Sequence, residues 1–452
     1  SYDDLEPYYT KAEELIGFNG TRENQIKPLG QASKEHYQTP LSPNPISDYA
    51  RMGMEALGMK PYRTPQAVIT QDHPPSGRTV GPLGQPGWDG GPKTAYVNRY
   101  GDALDFKSST WVSLLRPISA KPQFTLRPNC NVTHLESNGA RVTTVHYRDP
   151  SGQPATVSGN VVVLACSAIE TVRLLMLSAE RLPEFDARIN QNDLLGKYFL
   201  THCFGGASAV MPGRVDKSLT VDSDWATDFC GTDDFITQTG LWAGATIYNN
   251  TSDQALPIAL GRTHGATDLD TLWHAFDSDT SIVGDRFDDF LNTEFNRRLS
   301  VSFMANQVPQ KSNHIELHST VRDKWGRRVA YIVKGWHEHD RYLMDTIAEL
   351  CGRVLKFGGD GGKGNYQIEG FGGVYRSENA LARIANHILG GARFGNDAND
   401  SVLDKNCRAW HFDNLFVTDG CFMPTSGSGN PTLTIQANAF RVGDALIASG
   451  LL

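Results

Sequence analysis

The sequence predicts an α/β fold, α+β overall, in which a domain built on a parallel sheet is interrupted by a β-rich insertion. Three observations carry this expectation. The run Val161-Val-Val-Leu-Ala is unbroken in apolar residues and leads into Ser167-Ala-Ile-Glu170, a capping-box pattern that opens a helix to about Ser178. The C-terminal segment repeats that texture, with the strand Leu415-Phe-Val, then Asp419-Gly420, a small-residue loop and a helix from Pro431 to about Ala448. Between them, His314-Ile-Glu-Leu-His and Val329-Ala-Tyr-Ile-Val alternate as antiparallel strands do.

Along the chain, a first helix is expected over 3–16, with Leu5, Tyr8, Tyr9, Ala12, Leu15 and Ile16 at helical spacing and Gly17 closing it. Residues 20–95 are rich in Pro and Gly and read as an extended, irregular arm. Strand patterns begin at Gln123-Phe-Thr-Leu-Arg and continue through Asn131-Val-Thr-His-Leu and Arg141-Val-Thr-Thr-Val-His-Tyr. A turn at Asp149-Pro-Ser-Gly then leads to Ala155-Thr-Val-Ser. An amphipathic helix is expected over 340–356, with Leu343, Ile347, Leu350 and Val354 on one face and Gly358-Gly359 beyond its end. No internal repeat is apparent.

Composition bounds the function. The chain has 452 residues, 39% of them hydrophobic and 20% charged, enough for a sizeable core in two or three domains. With 42 Lys+Arg against 50 Asp+Glu it lacks the basic balance of a nucleic-acid binder. No apolar run approaches the ~18 residues of a membrane span. Seven cysteines (Cys130, Cys166, Cys203, Cys230, Cys351, Cys407 and Cys421) are scattered without a C-x-x-C pair, which excludes a zinc ribbon and a thioredoxin-type motif. Sequons at Asn19, Asn131, Asn249, Asn250 and Asn399 hint at a secreted glycoprotein.

Three segments could carry chemistry. In Thr425-Ser-Gly-Ser-Gly-Asn430-Pro431, Asn is a preferred N-cap and Pro a preferred first helical residue. The helix N-terminus there suits a phosphate or a developing anion, or is an ordinary cap. His387, beside a glycine-rich turn, could be a general base, although a lone His is more often structural. Trp336-His-Glu-His-Asp340 offers two imidazoles without a third ligand, so no metal is expected at His337 and His339. The P-loop, the G-x-G-x-x-G fingerprint and the G-x-S-x-G elbow are all absent; Gly362-Lys-Gly364 and Gly427-Ser-Gly429 begin the second pattern and fail at its last glycine.

Taken together, several blocks resemble the glucose–methanol–choline (GMC) flavoprotein oxidoreductases, in the branch of pyranose oxidase, gluconate dehydrogenase and glucoside 3-dehydrogenase. They are Ser1-Tyr-Asp-Asp-Leu-Glu-Pro-Tyr-Tyr, Val162-Val-Leu-Ala-Cys-Ser-Ala-Ile-Glu-Thr-Val-Arg-Leu-Leu and Asn192-Asp-Leu-Leu-Gly-Lys-Tyr-Phe-Leu-Thr-His202. Further on come Lys334-Gly-Trp-His-Glu-His-Asp-Arg, His387-Ile-Leu-Gly-Gly-Ala-Arg-Phe-Gly, Asn414-Leu-Phe-Val-Thr-Asp-Gly and Asn430-Pro-Thr-Leu-Thr, all in family order. The resemblance implies a Rossmann-like FAD-binding domain, incomplete in this chain and interrupted by a substrate domain with a mainly antiparallel sheet and helices. It implies residues 1–95 as helix and arm of the substrate domain, 96–185 and 386–452 as parts of the FAD domain, and 186–385 as substrate domain.

The resemblance also assigns roles. His387 would accept the proton of a substrate hydroxyl and Asn430 would hydrogen-bond its oxygen while the carbon delivers hydride to flavin N5. For FAD, Val132 would meet the adenine end, Ala165 and Cys166 the ADP portion, and Asp419 and Gly420 the pyrophosphate and ribityl chain. Thr432 would sit beside the isoalloxazine, and the helix opening at Pro431 would point its positive end at the flavin pyrimidine. The substrate would be a pyranose or oligosaccharide. Some dehydrogenases of this branch carry a cysteine-rich segment that relays electrons, and the matching stretch Thr94-Ala-Tyr-Val-Asn-Arg-Tyr-Gly-Asp-Ala-Leu-Asp-Phe has no cysteine, which favours oxygen as acceptor. A dehydrogenase passing electrons to a quinone or protein is the alternative, and an inactive carbohydrate-binding homologue is the alternative of another class. The family places its dinucleotide fingerprint before the Ser-Tyr-Asp-Asp-Leu block. This implies a small N-terminal chain, cut from the same precursor, as a partner in a heterodimer.

Overall fold

The computed structural model describes residues 2–21, 36–86, 102–213, 223–250, 285, 297–379 and 387–452. Residues 94–101 of the cysteine-free stretch lie outside that set. Helix α1 (Tyr2–Ile16) forms where expected and buries Ala12, Glu13 and Ile16. The segment expected to be an irregular arm holds a helix, α2 (Asp48–Ala56), and the short strand β1 (Tyr62–Arg63). Ala50, Gly53 and Met54 of α2 are buried at helical spacing, but nine residues set among prolines leave too short a period to read. The strand expected over 123–127 does not form. The Phe124 N–H closes a turn on the Lys121 carbonyl (2.9 Å), and Leu126 stays 52% exposed.

Strands β2 (Asn131–Asn138), β3 (Arg141–Arg148) and β4 (Pro154–Val157) make an antiparallel sheet. Strand β5 (Val162–Leu164) leads into helix α3 (Ala168–Arg181) and then α4 (Pro183–Ile189). The capping box at Ser167 is not made, because Ser167 adopts φ +73° and its side chain bonds no helical N–H. Glu170 pairs with Arg173 instead (3.0 Å), and Thr171 Oγ1 accepts the Cys166 N–H (3.1 Å). There follow β6 (His202–Val210), β7 (Trp225–Thr227), α5 (Asp233–Thr239), β8 (Ala245–Asn250) and β9 (Arg298–Asn306). The hairpin β10 (His314–Arg322) and β11 (Arg328–Val333) precedes α6 (Glu338–Gly359) and β12 (Glu369–Tyr375). Strand β13 (Leu415–Val417) and helix α7 (Thr432–Ser449) complete the series.

Two large apolar cores organise these elements, beside a small third cluster of Leu41, Val68, Ile69, Val80 and Phe106. In the first, β13 pairs with β5 in parallel, and α3 packs beneath them through Val172 and Leu175 among Leu135, Val142, Phe185, Phe199 and Val417. In the second, a six-stranded antiparallel sheet ordered β12-β6-β9-β8-β7-β1 lies against α6 and α2. Its pleat divides the side chains. Cys203, Ala207, Val301, Phe303 and Ala305 enter the core with Leu343, Ile347 and Cys351, so His202, Phe204, Met304 and Asn306 point to the opposite face. Helices α2 and α6 touch backbone to backbone: a Cβ on Gly53 would run into the Val354 carbonyl, and one on Gly358 into that of Tyr49.

Candidate active site

His387 opens a loop gripped from two sides. Leu389 exchanges backbone hydrogen bonds with Leu200 (2.9 and 2.8 Å), and the Gly390 N–H donates to the Gly420 carbonyl (3.1 Å). Gly390 has φ +71°, and a side chain there would strike the Tyr198 carbonyl, so only glycine lets the loop lie so close. His387 itself has φ +55°, a left-handed conformation that a non-glycine residue holds only under constraint. Its Nδ1 is buried without a hydrogen-bond partner. Its ring meets two others, edge-on to His202 at 5.0 Å between centroids and tilted on Phe204 at 5.4 Å. Burial pushes the imidazole below its ordinary value of 6.5, so the ring is neutral and able to take a proton near neutrality.

Asp419 and Gly420 continue from β13. The Thr418 N–H extends the parallel pairing to the Leu164 carbonyl (2.9 Å). The Asp419 carboxylate accepts from the Cys421 N–H (3.0 Å) and from the Thr171 hydroxyl, whose oxygen holds the Cys166 N–H. Asp419 and Cys166 are thus linked across the strand ends through Thr171. A Cβ on Gly420 would lie 2.9 Å from the Ile388 carbonyl and 3.2 Å from Ile435 Cδ1. The residue after His387, Gly420 and the first turns of α7 therefore converge.

At that helix the expected cap moves by one residue. Pro431, not Asn430, is the N-cap, with helical φ of −77°, and no side chain caps the helix. Asn430 and Thr432 are exposed while Pro431 is buried. The loop before them is anchored at Ser426, whose Oγ donates to Asn306 Oδ1 (2.8 Å) and accepts from the Gln307 N–H (2.9 Å). Asn306 Oδ1 also takes the Gly427 N–H (3.1 Å).

These residues fit a flavin nucleotide. Both parallel strands end, and the helices that follow them begin, on one edge, where α/β sheets bind dinucleotides. Gly420 lets the His387 loop and α7 pack close at that edge, and the uncapped first turn of α7 leaves N–H groups and a positive dipole end for an anionic group. Ala165 and Cys166 are exposed at the end of β5. Val132 is on the antiparallel sheet, with its carbonyl accepting from Arg327 (2.8 Å). His337 and His339 are placed for structure. His337 Nδ1 accepts the His339 N–H (3.1 Å) to cap α6, and His339 Nε2 accepts the Trp242 N–H (2.9 Å) beneath a stacked Trp242 ring. Among the described residues no cluster of three His, Cys, Asp or Glu is placed to hold a metal.

Sequence reasoning missed His202, Phe204, Asn306, Thr171 and Ser426. Thr171 lies four residues beyond Ser167, where a second cap partner could have been sought. His202, Phe204 and Asn306 become visible only through strand register, and Ser426, within the segment already singled out, only through its bonds to Asn306 and Gln307.

Residues 90–203 and 309–439 match two family models, both described as GMC oxidoreductase, which together span more than half of the chain. The chain is 26% identical to the 2-methyl-1,2-propanediol dehydrogenase of Mycolicibacterium austroafricanum over 98% of its own length and 73% of that protein. It is 26% identical to the 6'''-hydroxyparomomycin C oxidase of Streptomyces lividus, over 98% of this chain and 71% of that one. Identity is again 26% with the fructose dehydrogenase large subunit of Gluconobacter japonicus, over 99% and 74%. Among solved structures it shares its fold with the formate oxidase of Aspergillus oryzae RIB40, at a TM-score of 0.59 and 12% identity, over 98% of this chain and 78% of that one.

Proposed function

We propose that this chain, which belongs to the GMC oxidoreductase family, oxidises a hydroxyl-bearing carbon of a sugar, with His387 as base and Asn430 as the partner of the substrate oxygen. As in the rest of the family, FAD is the cofactor, and when bound it supplies the acceptor for the hydride that leaves the carbon. The observation that carries the reading is His387, a neutral imidazole, buried at Nδ1 without a partner, on the loop that packs against Gly420. The base takes the hydroxyl proton, the C–H electrons leave as hydride, and a carbonyl remains. General-base assistance of this kind contributes roughly 10²–10⁴ in rate. Asn430, exposed just before the uncapped helix α7, holds the substrate oxygen while charge gathers there.

A sugar substrate is supported by the relative that is a fructose dehydrogenase large subunit, and oxygen as acceptor by the relative that is an oxidase and by the cysteine-free stretch at 94–106. Dehydrogenases among the relatives keep a quinone or protein acceptor as the second reading. A partner chain is supported by the parallel sheet: among the described residues β5 pairs only with β13, and Val163 in the middle of β5 is 46% exposed. A further strand on a small second chain would cover that edge. Secretion with glycosylation is supported at Asn131 and Asn399, both exposed. Asn19 and Asn249 are buried, their side chains bonded within the fold, which removes them as glycan sites.

The test is a panel of pyranoses and oligosaccharides offered to the flavin-loaded protein in air, with peroxide and sugar carbonyl measured together. Peroxide equal to carbonyl supports the oxidase; carbonyl formed only with an added quinone supports the dehydrogenase. No carbonyl with any sugar overturns the substrate class.

A further inference from the structure

We propose that one register pair at the ends of two neighbouring strands of the six-stranded sheet sets the geometry of both catalytic groups: His202 on β6 positions His387, and Asn306 on β9 positions the loop that presents Asn430. The proposal rests on the roles given above to those two residues.

His202 and Asn306 are register partners on adjacent antiparallel strands and lie on the face turned away from α6. His202 is fully buried, and neither of its ring nitrogens has a hydrogen-bond partner. A buried polar group left without well-formed hydrogen bonds is costly, so such a residue calls for a reason beyond filling space. Its polar neighbours are the Ser426 backbone and the ring of His387, met edge-on, while Phe204, two residues along the strand, leans on the same ring. Together the two rings wall in a residue whose left-handed backbone needs external support.

The neighbouring strand does the same for the other catalytic group. Asn306 Oδ1 holds both the Ser426 hydroxyl and the Gly427 N–H, just ahead of Asn430. Gln307 ties the two strands at this point, its N–H on Ser426 Oγ and its Oε1 receiving the Thr201 N–H (2.9 Å). A shift of register between β6 and β9 would therefore move His387 and Asn430 relative to one another.

The charge state suits this role. Burial, and then the facing His387, push the His202 imidazole down to about 4, with the Ser426 backbone acting in the other direction. Lys334 and Asp340 lie near Cys203, the next residue, whose side chain turns to the opposite face of the sheet. A neutral His202 ring thus adds no positive charge beside His387 when that residue takes up its proton. His202 and Asn306 act through other residues and are positioning residues, not catalytic ones.

The test compares His202→Leu, His202→Phe, Asn306→Ala and Asn306→Asp in flavin-loaded protein, with His387→Ala as reference. Loss of the ring or of the acceptor oxygen should lower kcat about tenfold or more, since small misplacements of reacting groups are that costly, with KM within about twofold. His202→Phe keeps a ring and Asn306→Asp keeps an acceptor, so both should recover most of the rate. Independently of turnover, the His387 imidazole resonance, identified by its loss in His387→Ala, should shift in His202→Leu and return towards its place in His202→Phe. Normal kcat with an unmoved resonance in His202→Leu overturns the proposal. If His202→Leu does not fold, a folded His202→Phe with more than about a tenfold loss overturns it equally. Normal turnover in His387→Ala would overturn the base assignment alone, because the resonance still reports whether His202 holds that ring.

Discussion

At His387 the local facts agree: a left-handed backbone, a buried Nδ1 without a partner, and an imidazole whose burial favours the neutral form. The pH dependence follows. Only the neutral ring accepts a proton, and its value in the folded protein lies below 6.5, so kcat/KM should be flat through neutrality and fall on an acid limb below pH 6.5. A limb above 6.5 would assign the base elsewhere. Asn430 gives a second prediction. Since Pro431 occupies the cap, Asn430→Ala should change folding stability by no more than about 0.5 kcal/mol while lowering kcat, which thermal unfolding and kinetics report separately. A loss of about 1 kcal/mol would restore Asn430 as the cap. Little of this was legible locally. A histidine beside Gly-Gly and an Asn-Pro pair are ordinary features, and only the order of blocks along the chain pointed to them. His202 closes one of those blocks, but its role was not legible, because a strand-opening histidine looks the same whether it faces a core or another imidazole.

Among elements, those with a long or unmixed period were legible: the apolar β5 and β13, the alternating β10 and β11, and the amphipathic α6. Those that depend on a distant partner were not. Helix α2 exists because Gly53 lets it lie on the α6 backbone, and Gly358 answers from the other side. On an open helix surface glycine to alanine stabilises by roughly 0.5–1 kcal/mol. Gly53→Ala and Gly358→Ala should instead destabilise, by about 1–3 kcal/mol, because the added methyl meets backbone that cannot move aside. Gly443, within α7 and with nothing in reach of a Cβ, should show the ordinary gain on replacement by alanine. Chemical denaturation of the three variants checks the contrast, and a gain at Gly53 or Gly358 would mean that the two helices do not touch as described. The strand expected over 123–127 failed for the converse reason: its residues have the right alternation, but among the described residues no strand pairs with them, and Leu126 is left in solvent.

For the whole molecule, the two cores have separate duties. One brings the ends of parallel strands and helix N-termini to a common edge; the other holds a sheet whose end faces that edge through His202, Phe204 and Asn306. The α/β texture of the first and the antiparallel texture of the second were legible from the sequence. Their meeting was not, because it depends on the register of β6 against β9 and on one serine in a glycine-rich loop. The account stands on alcohol oxidation at that meeting point. An anaerobic single turnover tests it most directly, by mixing a reactive sugar with the flavin-loaded protein and following the flavin absorption. The protein should bleach in one exponential phase, and His387→Ala, with equal flavin content, should bleach at least about a hundredfold more slowly. Equal rates in the two proteins, or no bleaching with any alcohol, would contradict it.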